Sequence, residues 1–156
     1  MSLAADKVGL FLRSQAEELE RIWRGARIAA RPDVFPGLID GVVAPFFLLA
    51  GELIARAAAP EEVWRGLVGV VRYAPALPED ELAQEWSLLR EVLAAACESV
   101  GAGRDAADWL ARAANAAEAG AAALARKEGA APDGIVAAFV FSSLAPRQPA
   151  AERAEA

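Results

Sequence analysis

Residues 78–101 read PEDELAQEWSLLREVLAAACESVG, and their spacing decides the fold class. Leu82, Trp86, Leu89, Leu93, Cys97 and Val100 recur three or four residues apart, the interval that aligns side chains on one face of an α-helix. Pro78 followed by Glu79, Asp80 and Glu81 is a helix start, because proline lacks the N–H that a first turn leaves unpaired and carboxylates suit its positive dipole end. Gly101 and Gly103 supply the stop. A helix is predicted over 79–100.

Working outward, residues 105–128 form the next predicted helix, with Trp109, Leu110, Ala113, Ala117, Ala121 and Leu124 facing inward. Its alanines and Gly120 let a neighbour approach the backbone closely. The run 135–144 (IVAAFVFSSL) fits a helix or a strand by periodicity; a helix is favoured because no second strand is available to pair with it. The segment 145–156 has two prolines, alternating charge and little to bury, and disorder is expected there. Upstream, Pro60-Glu61-Glu62 repeats the start signal and predicts a helix over 60–73. Residues 35–58 are apolar on more than one side and should be central, with Pro45 kinking or splitting the helix. Residues 3–30 read as one helix. Val8, Leu12, Leu19, Ile22, Trp23 and Ala26 form its inner face, and Arg13, Glu17, Glu20, Arg24 and Arg27 its outer face. The sum is an all-α, up-and-down bundle of five to six helices in a single domain over 1–144.

Composition narrows the chemistry. The net charge of −6 over 156 residues disfavours nucleic acid, which needs a basic stripe. Alanine accounts for much of the 56% hydrophobic content, and the longest apolar stretch, 41–51, is too short to span a bilayer. Asp6, Lys7 and Arg13 interrupt any N-terminal leader, so a cytoplasmic location is expected. The chain has no histidine and one cysteine. Imidazole-ligated haem, the usual catalytic zinc site and the serine or cysteine triads are thereby removed, and no cofactor or metal is expected.

Candidate sites weigh accordingly. Glu81 with Glu85, and Glu17 with Glu18 and Glu20, place carboxylates on shared helix faces; without His the di-metal pattern is incomplete, and solvated faces are the expectation. Cys97 lies on the apolar stripe and reads as a core thiol. Gly101-Ala102-Gly103 lacks the lysine and preceding strand of a phosphate loop. Trp23, Trp64, Trp86 and Trp109 fall on four different helices; with Phe46 they either line a ligand pocket between helices or anchor the core separately. Glu85 and Arg90 flank an apolar patch, with Trp86 and Arg90 spaced to stack as cation and ring.

Arg72 followed, after a proline-punctuated connection, by Glu85-Trp86-Ser87-Leu88-Leu89-Arg90 resembles the N-terminal domain of the RsbRD-type co-antagonists of the bacterial stress-response switch, a domain that also precedes some sensor kinases. Ile22-Trp23 looks like that family's first helix, and Pro36-Gly37-Leu38-Ile39-Asp40-Gly41 like the start of its second. The resemblance implies a helical, homodimeric input module that passes a signal to a STAS domain or kinase. Here the run after the last long helix carries no such domain, so either the companion is a separate protein or the signalling role does not carry over. Arg72, Glu85 and Arg90 are the residues that the resemblance marks as motif or interface. The expected function is a regulatory or sensory helical module without catalytic activity. The alternative is a small-molecule-binding protein with a tryptophan-lined pocket.

Overall fold

The structure, a computed structural model, describes residues 3–33, 39–69 and 79–129. Six α-helices follow one another within them: α1 (Leu3–Ser14), α2 (Ala16–Ala30), α3 (Val43–Ala55), α4 (Glu62–Leu67), α5 (Glu79–Val100) and α6 (Arg104–Gly129). The protein is an all-α helical bundle, with no strand among the described residues. Arg72, residues 36–38, the run 135–144 and the tail 145–156 lie outside the described residues.

α5 and α6 occupy the positions their periodicity predicts. α5 ends in a Schellman turn: Gly101 takes a φ of 64°, its N–H donates to the Glu98 carbonyl at 3.2 Å, and the Ala102 N–H donates to the Cys97 carbonyl at 2.9 Å. α3 ends with the same pair of bonds, from Ala57 N–H to the Ile54 carbonyl and from Ala58 N–H to the Leu53 carbonyl. There the left-handed position, φ 57°, is filled by Ala57, at a strain of about 1 kcal/mol.

Two expectations need correction. The single helix expected over 3–30 is broken at Gln15, whose φ of −111° and ψ of 14° leave the helical basin. The Ser14 hydroxyl donates back to the Phe11 carbonyl at 3.2 Å, a local bond that competes with the helix ladder and bends it. The bend lets Val8 and Leu12 stay buried on α1 while Leu19 and Trp23 stay buried on α2. Pro45, expected to kink or split a helix over 35–58, does neither, because α3 begins only at Val43. Pro45 therefore sits in the first turn, where a missing N–H removes no intrahelical bond; residues 39–42 precede it as turns.

α3 is the central helix, packed against α1, α2, α4 and α6. Phe46 meets the Trp86 ring at 6.1 Å and the Phe47 ring at 5.8 Å, both edge to face, and all three side chains are fully buried. Against α1 the approach is closer. Gly9 and Gly51 face one another, and a Cβ added to either would lie 2.6 Å from the other's carbonyl oxygen. Trp64 of α4 covers Gly120 of α6 in the same way, with no room for a Cβ. Trp109 ties α6 to the α3–α4 connection by donating its indole N–H to the Ala58 carbonyl at 2.8 Å.

Candidate functional site

α2 and α5 run antiparallel, and two different kinds of contact divide their seam. At one end is a polar latch. Glu85 is fully buried, and one carboxylate oxygen accepts the Ile39 N–H at 2.9 Å while the other lies 3.7 Å from the Arg31 guanidinium. Arg31 reaches the Glu81 carboxylate at 2.7 Å and donates to its backbone carbonyl at 3.3 Å. The Trp23 indole N–H donates to the Glu85 carbonyl at 3.0 Å. Arg27, also fully buried, lies 5.9 Å over the Trp23 ring and 3.8 Å from Asp40. Charges taken out of water need this density of partners, since each is costly to desolvate alone.

This is where the outer-face reading of the charges fails. Arg27 and Glu85 were placed among solvated residues by the helical wheel, yet both are inside. Glu85 is satisfied by groups from the α2 C-terminus and the turn before α3, which are distant in sequence. Glu81 remains at the surface, with 41% of its side chain exposed. Glu17 and Glu18 are exposed as expected; the Arg21 hydrogen bond holds the Glu18 carboxyl below the ordinary range.

Along the rest of the seam the two helices leave an apolar groove of about 410 Å³. Phe11 and the α2 residues Leu19, Ile22 and Ala26 form one wall. Leu88, Val92, Ala95 and Ala96 of α5 form the other, with Glu91 and Ser99. A smaller hollow of about 240 Å³ beside Arg31 and Glu85 shares Leu88 and Glu91 with the groove, so latch and groove are neighbours. Ile22, read from the sequence as a core residue, is 47% exposed and stands on the rim. The alanines at 26, 95 and 96 were the legible signal of a shallow floor.

The other sequence candidates lie elsewhere. Trp23, Phe46 and Trp86 are fully buried, and Trp86 packs edge-on to Phe46. Trp109 and Trp64 hold α6 as described, and none of these five rings is among the groove's walls. Arg90 turns away from Trp86 to α6, where it pairs with Glu118 at 2.5 Å; the cation over a ring is Arg27 over Trp23. Glu85 and Arg90 therefore serve separate contacts. Cys97 is buried, and desolvation pushes its thiol pKa up, away from nucleophilic use.

Among the described residues no cluster of His, Cys, Asp or Glu could hold a metal ion, and no helix is long and apolar enough to cross a membrane. Set against protein-family models, curated proteins and solved structures, the chain finds no match.

Proposed function

We propose that the chain is a non-catalytic regulatory module of the signalling kind its motif resembles, and that it works by holding a separate signalling protein in the α2–α5 groove. The observation that supports this reading is the groove itself. Among the described residues two charged side chains are buried at the latch, while an apolar channel beside it is left uncovered. A sequence selected only for stability would do the reverse, and contiguous exposed apolar surface marks interaction sites. Leu88 and Glu91 wall both groove and latch hollow, so an occupant that moves them acts first on the contacts of Arg31 and Glu85. Those contacts lead through Ile39 to the start of α3, which gives a bound partner a physical route to the centre of the bundle.

Ala95→Trp tests the reading. Ala95 is exposed on the groove wall, so a large ring there fills the channel without entering the core. The variant should keep the wild-type melting temperature, yet fail to reverse the transcript changes caused by deleting the gene in its host. Full complementation by a stably folded Ala95→Trp chain would sink the proposal.

A further inference from the structure

The groove's chemistry narrows its occupant; this deepens the reading above and rests on it. From Leu88 to Ser99 α5 advances about 16 Å at ~1.5 Å per residue, three turns of an α-helix. Leu88, Ala95 and Ser99 succeed one another along that wall, with Ile22 and Ala26 opposite. This is the geometry in which an amphipathic helix lays its apolar face into a cleft. Small side chains on the floor let its backbone come close.

Charge distinguishes one helix from another. Glu91 stands between Leu88 and Ala95, exposed, and no ion pair reaches it among the described residues. The neighbouring cations of α2 are already engaged: Arg21 with Glu18, Arg24 with Glu20 at 3.1 Å, and Arg31 with Glu81. Among the described residues the apolar channel thus carries one negative charge without a counter-charge, on a chain of net charge −6.

We infer that the occupant is an amphipathic helix of another protein, with apolar side chains one to two turns apart and a lysine or arginine among them that pairs with Glu91. A second copy of this chain meets the requirement poorly. A two-fold contact sets the same patch against itself, so Glu91 would face a wall that again bears Glu91 and whose arginines are engaged. Both copies would also be acidic.

The test uses the full chain and a fluorescein-labelled synthetic peptide of about four helical turns. The peptide carries leucines on one face with a central lysine, and its twin has glutamate in that place. Anisotropy titrations should show the lysine peptide binding about 10-fold tighter, a difference of about 1.4 kcal/mol. Glu91→Gln should erase the preference, Glu91→Lys should reverse it, and Ala95→Trp should abolish both complexes. The preference should shrink as salt is raised. Equal binding of the two peptides, or a preference that Glu91→Lys leaves unchanged, overturns the cationic helix while leaving the groove as working surface. A wild-type dimer in sedimentation that Ala95→Trp dissolves overturns it in favour of a second copy. Peptide binding untouched by Ala95→Trp overturns this inference and the function proposed above together. Glu91→Gln removes the charge with the smallest change of shape, and keeps the test decisive if Glu91→Lys fails to fold.

Discussion

The seam between α1 and α3 and the seam between α2 and α5 join the same N-terminal arm to the bundle by opposite means. At the first, Gly9 and Gly51 bring two backbones together with no space for a side chain. At the second, arginines and a buried glutamate fix one end, and the remaining length stays apart as an apolar groove. Backbone contact excludes any occupant, whereas a latch placed at one end holds two helices in register without closing the space between them. The break at Gln15 makes the contrast possible, since one straight helix would have to follow both partners at once.

Three substitutions would break or sharpen this contrast. The largest effect is expected at the latch. Glu85→Ala removes the buried acceptor of the Ile39 N–H and a counter-charge of Arg31, and urea denaturation should show a loss of about 3 kcal/mol. A loss below about 1 kcal/mol, the range of exposed ion pairs, would show that the latch does not hold the seam. Next comes Gly51→Ala, whose new Cβ meets the Gly9 carbonyl oxygen and the Arg13 side chain. Overpacking of about 2 kcal/mol is expected there, even after the better helix propensity of alanine. A stabilised variant would mean that the two helices can separate. The smallest effect belongs to the groove: Ile22→Ser should change stability by less than about 0.5 kcal/mol while weakening the lysine peptide. If Ile22→Ser unfolds the chain, the rim is part of the core and the two seams are alike.

Much of this architecture was legible because helix signals are local. The stripe of α5, its acidic start and Gly101 all lie within one segment, and the observed helix follows them. Pro45 misled because proline's effect depends on its distance from the helix start, and that start is set by the Ile39–Val42 turn. Ser14 carried the break, through one hydroxyl bond that periodicity cannot register. The latch was half visible: the motif singled out Glu85 for attention, and the wheel then placed it in solvent. Its partners Arg31 and Ile39 are reached only through the tertiary fold. Arg27 offered a missed cue, since it follows Trp23 by one helical turn and shares its buried side. The groove was hidden for a related reason. An apolar position gives the same signal whether a neighbour covers it or not, and Ile22 was counted as core.

The placement of the indoles has a practical consequence for anyone seeking the occupant by optical means. Trp23 and Trp86 are sealed inside, Trp109 is bound to the Ala58 carbonyl, and Trp64 covers Gly120. Intrinsic emission from this chain therefore reports on the core and on the α4–α6 contact. A molecule settling between Ile22 and Ala95 touches none of these rings. A change of emission on binding would therefore report movement of the latch, through the Trp23 bond to the Glu85 carbonyl, and a binder that leaves the latch at rest would pass a quenching screen as silent.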